Sequence, residues 1–319
     1  MPLLDIDKLT KGLPRGWAGF LRDWDRHLRA GNYPETTRYS YLLSAAQLGR
    51  FLGEHSPDPD APAAADDPCQ VTRAHAEAFQ AWMVTTRSAS TALVKHKALQ
   101  QFFRWLREVE QEIGRSPMDR VCQPKVAQKL IPVIGDEDTR KLLQTCAGKG
   151  FGSLRDEAII RLLANTGARL SEVGNLRLDD VDLATETVRY QGKGAKDRRV
   201  RVGPKTARAL SRYLRSRAKR HGAQTAWLWL AERGGGALHP NGIKHMLKRR
   251  GTLAGIAGVH AHRWRHNYAH QWKRLGGDTG DLMLALGWTS DDMPRRYGAS
   301  AAAERAMETQ SRLGIGERI

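Results

Sequence analysis

Four short segments, far apart in the chain, carry side chains suited to gripping and breaking a phosphodiester. The first is Thr166-Gly167-Ala168-Arg169-Leu170-Ser171-Glu172. An arginine that follows a glycine turn and opens a helix can aim its planar fork at the non-bridging oxygens of a phosphate. Glu172, three residues on, has the spacing to brace that arginine from behind. The second is Gly192-Lys193-Gly194. Its glycines accept positive φ and place the lysine at the tip of a rigid arm, where an ammonium can enter a groove and give a proton to a leaving 5′ oxygen. The third is His262-Arg263-Trp264-Arg265-His266, in which His262 and Arg265 stand three apart on one helix. A histidine titrating near neutrality can accept a proton while the arginine holds a phosphate. The fourth is Leu286-Gly287-Trp288 with Arg295-Arg296-Tyr297 shortly after it. A tyrosine titrating near pH 10 needs a base and a cationic setting to become a nucleophile, and two arginines supply part of that setting.

Each segment alone has an ordinary explanation. An RxxE pair on a helix is often a solvated ion pair, and a hairpin lysine is often only exposed. His262, His266 and His270 recur at intervals of four, as metal ligands on one helix face do. The zinc-peptidase pattern puts a glutamate after its first histidine, whereas Asn267 follows His266, so no metal is expected, and no cofactor.

The elements that must position these groups fall into two pieces. Residues 17–122 read as an all-helical bundle, with apolar stripes over 16–30, 35–54, 71–86 and 89–112. An acidic, Pro-rich stretch at 56–68 is expected as an exposed loop, and residues 1–16 as an N-terminal extension. The segment CQPKVAQKLIPV, with two prolines and little periodicity, predicts a linker over 123–133. Residues 134–319 mix helix and strand: a helix from Gly135, a helix–turn–helix around Gly167, a β-hairpin with arms Val188–Tyr190 and Val200–Val202, then helices over 204–220, 240–254, 262–275, 279–286 and 301–312. The expected fold is therefore mainly α with a small β-sheet.

Composition narrows the partner. In 319 residues, Lys and Arg number 52 against 34 acidic residues, a formal +18, which favours a polyanion such as DNA or RNA. No apolar run reaches the roughly 18 to 20 residues that cross a bilayer, and the N-terminus has no signal-peptide core, so a cytoplasmic location without membrane partners is expected. Cys69, Cys122 and Cys146 are scattered and odd in number, which argues against a disulfide framework.

In their order and spacing the four segments resemble the tyrosine recombinases, the family of phage integrases and bacterial chromosome-dimer resolvases. The first arginine box matches TGARLSEVGNL, the hairpin lysine matches GKGAKDRRVRV, the HxxRH box matches His262 to His266, and the Leu-Gly-His box matches Leu286-Gly287-Trp288, with Tyr297 nine residues later. Trp288 stands where histidine is commoner; its indole can donate one hydrogen bond but cannot transfer a proton. The resemblance covers about 134–298 well and 17–125 more loosely. It implies a core-binding helical domain followed by a catalytic domain, with Tyr297, Arg169, Lys193, His262, Arg265 and Trp288 in catalysis and Glu172 and His266 in support. It also implies site-specific cleavage and rejoining of double-stranded DNA through a 3′-phosphotyrosine, for integration, excision or resolution. A homotetramer would do this at paired sites, and accessory DNA-bending proteins are compatible with the scheme. A type IB topoisomerase-like strand transferase, or a non-catalytic DNA-binding protein of the same fold, are the alternatives.

Overall fold

Stripes of Trp, Phe and Leu at helical spacing build the N-terminal half of the computed structural model, which describes residues 4–127, 134–191, 197–290, 294 and 302–314. The chain divides into two compact units, Met1–Gln128 and Lys129–Ile319. In the first, α1 (Ile6–Thr10), α2 (Arg15–Ala30), α3 (Glu35–Glu54), α4 (Ala61–Asp66), α5 (Arg73–Thr86) and α6 (Ala89–Glu108) enclose one core. Its centre is aromatic: Trp24 lies 5.0 Å from Phe102 and 6.2 Å from Trp105, ring centre to ring centre. Polar caps start the later helices. The Thr72 hydroxyl accepts from the His75 amide and His75 Nδ1 accepts from the Thr72 amide, and the Ser88 hydroxyl accepts from the Thr91 amide.

One stretch departs from the sequence reading. The acidic segment at 56–68 is not simply an exposed loop, because α4 lies inside it with Ala61, Ala64 and Ala65 buried. The carbonyl of Ala64 accepts a 2.9 Å bond from the Trp17 indole. Close approach makes this possible: a Cβ on Gly16 would fall 2.5 Å from the Asp66 carbonyl oxygen. Small residues on one face bury well where a neighbouring helix comes that near, and neither acidity nor proline content reports this. Ahead of residue 17, α1 is capped by Asp5, buries Leu9 and packs on α2 and α3.

The second unit comprises α7 (Asp136–Gln144), α8 (Phe151–Thr166), α9 (Leu170–Gly174), strands β1 (Val181–Asp182), β2 (Thr187–Gln191) and β3 (Asp197–Arg201), and α10 (Pro204–Arg217), α11 (Pro240–Leu253), α12 (Ala261–Arg274), α13 (Thr279–Leu286) and α14 (Ala302–Leu313). The strands form one antiparallel sheet in chain order, with Val188 opposite Val200 and Tyr190 opposite Arg198. The hairpin was legible in its two β-rich arms; β1, two residues long, offers no periodicity to read. Helix α8 is central, packed by α10 and α12.

A buried charge ties α8 to α11. Asp156 is fully buried, and its Oδ1 accepts from Arg155 Nε (3.0 Å) and Nη2 (2.8 Å). Its Oδ2 accepts from Arg250 Nε (2.9 Å) and Nη2 (2.8 Å) and from Arg249 Nη2 (3.0 Å). Arg250 Nη1 also donates to the Thr145 carbonyl, which draws in the end of α7. Removing one partner of such a cluster leaves uncompensated charge in a low-dielectric interior. Asp156→Ala is expected to destabilise the second unit by about 3–5 kcal/mol. Urea titration followed by amide exchange within α8 measures this, and a loss below about 1 kcal/mol, the worth of a surface pair, would show that the cluster does not hold the unit together.

Candidate active site

The first arginine box is positioned by a helix that has to stop. Helix α8 ends at Gly167, which is left-handed at φ +59°, and a Cβ there would fall 2.9 Å from Cβ of Tyr268. Only glycine fits that conformation and that approach. The chain turns, and Arg169 becomes the residue that opens α9. Glu172 then folds back on it as the sequence predicts. Oε2 accepts from the Arg169 amide (2.7 Å) and Oε1 from Arg169 Nη1 (2.8 Å).

The same carboxylate has a second partner that sequence reasoning did not single out. Arg198 of β3 donates from Nη1 to Oε1 (3.0 Å) and from Nη2 to Oε2 (2.8 Å). Burial would push the Glu172 carboxyl up, but the hydrogen bonds and positive charge of Arg198 and Arg169 outweigh it and bring it down to about 2. A signal for Arg198 was present. In a strand, alternate residues share a face, so Arg198 points the same way as the buried Val200, and an inward-facing arginine requires a partner.

Arg265, on α12, is 1% exposed. Its Nη1 donates to the Gly167 carbonyl (3.0 Å) and its Nη2 to the Leu286 carbonyl (2.6 Å), and its guanidinium carbon lies 5.2 Å from the centre of the Trp288 ring. Gly287, left-handed at φ +62°, ends α13 and delivers Trp288 to that place. Arg169 Nη2 approaches the Gly287 carbonyl at 3.4 Å. Three of the four segments therefore converge, and a cavity of about 750 Å³ opens beside them, lined in part by Arg169, Glu172, Gln191, Arg198 and Trp288. Trp288, expected as a donor in place of histidine, also provides the aromatic plate beneath Arg265.

His262 and His266 sit a turn apart on α12, with ring centres 4.9 Å apart and edge to face. His262 is exposed and His266 buried, so the HxxRH box splits into one group open to solvent and two, Arg265 and His266, packed inside. Lys193 and Tyr297 lie outside the described residues. Among the described residues no three His, Cys, Asp or Glu side chains converge as metal ligands would.

The model of the phage integrase family matches residues 132–304, and that of the phage integrase N-terminal SAM-like domain matches residues 20–113. Tyrosine recombinase XerC of Staphylococcus carnosus is 28% identical over 213 residues, 65% of this chain and 70% of that protein. Tyrosine recombinase XerD of Mycobacterium tuberculosis is 33% identical over 211 residues, 64% of this chain and 66% of that protein. Among solved structures, the XerH site-specific recombinase bound to palindromic difH substrate superimposes with a TM-score of 0.71 at 18% identity, over 93% of this chain and 84% of that one. A lambda integrase dimer bound to a COC′ core site does so with a TM-score of 0.67 at 14% identity, over 92% and 80%. At those identities the structures establish a shared fold, and the family model, which spans more than half of the sequence, establishes descent: the chain belongs to the phage integrase family, the tyrosine recombinases.

Proposed function

We propose that this chain cuts and rejoins double-stranded DNA at a specific site through a 3′-phosphotyrosine on Tyr297. The observation that supports this best is the convergence of Arg169 and Arg265, drawn from different segments, through the carbonyls of Gly167, Leu286 and Gly287. In this reading the Tyr297 oxygen attacks the scissile phosphorus while the bond from phosphorus to the 5′ oxygen breaks. Arg169 and Arg265 stabilise the charge that grows on the non-bridging oxygens, in a setting organised before substrate arrives. Exposed His262 takes the tyrosine proton, and Lys193 gives one to the departing 5′ oxygen. Trp288 supports Arg265 and contributes its indole N–H, while Glu172 and His266 hold the frame. The phosphotyrosine ester keeps the energy of the broken bond, so religation needs no nucleotide.

The N-terminal helical unit would grip DNA as a core-binding domain over about 17–122, joined by the linker at 123–133 to a catalytic domain over 134–319. Exchange between two duplexes calls for four protomers. Helix α14 suits the docking of one protomer on the next, since Met307 and Leu313 are 65% and 54% exposed. Deleting residues 302–319 is expected to abolish tetramers on DNA while leaving single-site binding, as read by sedimentation of the complexes. Unchanged tetramer formation would remove α14 from that role.

Covalent trapping tests the chemistry. A duplex selected from a random library for retention by the protein, nicked near its centre, is incubated with the chain in EDTA and resolved on a denaturing gel. An adduct is expected for the parent chain and none for Tyr297→Phe. Binding without any adduct would favour a non-catalytic DNA-binding protein of the same fold. Adducts formed by complexes that stay single-duplex throughout would favour a topoisomerase-like strand transferase.

A further inference from the structure

We infer that Arg198 is a positioning residue for strand cleavage: by clamping Glu172 from the hairpin side, it fixes the direction in which Arg169 presents its guanidinium. It has this role only if the chain cleaves DNA as proposed above. The geometry of the carboxylate carries the point. An ionised glutamate has about four lone-pair sites, and each oxygen of Glu172 accepts two bonds, one from Arg169 and one from Arg198. Glu172 is 6% exposed in its side chain, so its bonds come chiefly from these two arginines. Without Arg198 the carboxylate keeps half of its bonds, both from Arg169, and loses the two that anchor it to the hairpin. Arg169, 40% exposed in its side chain, then bonds to a carboxylate that is held from one side, and its other contact is the long 3.4 Å approach to the Gly287 carbonyl.

Arg198 is itself held from several directions. Its Nε donates to the Ala285 carbonyl (2.9 Å) and its guanidinium carbon lies 5.0 Å from the centre of the Tyr190 ring. All three of its nitrogens already donate to the protein, and its side chain is 11% exposed. That pattern suits a brace better than a group that reaches for DNA. The contacts also join β3, α9 and α13, so β3 is fixed against the first arginine box by the same side chain. Among the described residues, the charged and titratable groups facing Glu172 are Arg169, Arg198 and the Tyr190 phenol. Burial keeps that phenol protonated, so Arg198 is the only cation besides Arg169 in contact with the carboxylate among the described residues.

The test uses the full chain and the nicked duplex selected above, with adduct formation in a single turnover and duplex binding measured in parallel. Arg198→Met is expected to slow adduct formation about 10²-fold, the cost of misplacing a reacting group by roughly an ångström. Its duplex affinity should stay within about twofold of the parent. Arg198→Lys, which restores the charge and one hydrogen bond, should recover part of the rate. In a Glu172→Gln background, itself slowed, adding Arg198→Met should cost no more than about twofold, because the two residues act as one unit. A full additional loss in that background would mean that Arg198 meets DNA directly and would overturn the inference, as would a parent-like rate for Arg198→Met alone. If Arg198→Met fails to show a native melting transition, the cycle is read with Arg198→Lys instead. No adduct from the parent chain would overturn the recombinase reading itself, an outcome distinct from both.

Discussion

Two guanidinium groups placed side by side repel, and Arg169 and Arg198 can share one corner of the site because the Glu172 carboxylate lies between them and accepts from both. The cost of burying that carboxylate is offset by four hydrogen bonds and two positive charges, which is why it remains ionised far into acid. The rest of the site follows from this contact. It sets the angle at which α9 leaves the Gly167 turn, and it seats β3 against the end of α13. It also leaves Arg265 to close the opposite side through two backbone carbonyls. A cluster so cationic is held in shape by oxygen acceptors from the protein, so the proposed binding of a phosphate there would need little rearrangement.

The formal charge of +18 is used in two ways. Much of it faces solvent and suits a polyanion. A separate group of arginines is turned inward and works as multiple donors to the backbone. Arg217, 3% exposed, donates to the carbonyls of Ala223, Thr225, Trp227 and Leu228 and so closes the segment that follows α10. Arg263 reaches the Ala257 carbonyl, and Arg155 the Leu230 carbonyl. The planar fork of arginine, with five N–H donors, satisfies irregular backbone that would otherwise be buried without partners. A count of basic residues therefore overstates the charge available to DNA.

Most of the fold was legible because its signals were local. The aromatic stripes gave the bundle, and Gly167 marked the turn that delivers Arg169. What escaped depends on residues distant in sequence. Helix α4 is buried because Gly16 lets another helix approach, and β1 exists only through its pairing with β2. Arg198 acquires its partners 26 and 87 residues away along the chain. Its inward position in the strand signalled that it needed an acceptor, without indicating which one. The arrangement of the HxxRH box was hidden for a similar reason: spacing put His262 and Arg265 on one side of α12, but packing against α8 and α13 decided that the arginine would be enclosed and the first histidine left open.

The Asp156 cluster also constrains the order in which the second unit can form. Its bonds to Arg250 span 94 residues, so during synthesis α8 is made long before the cations that balance its buried carboxylate. Until then only the neighbouring Arg155 stands beside Asp156, and α8 cannot enter a dry core at low cost. The first unit has no such debt, because every residue of its core precedes Lys129. As the ribosome delivers the chain, the helical bundle can therefore close on its own. The part that would carry the cutting chemistry must wait for α11, and a nascent chain halted before Arg249 leaves that core unsealed.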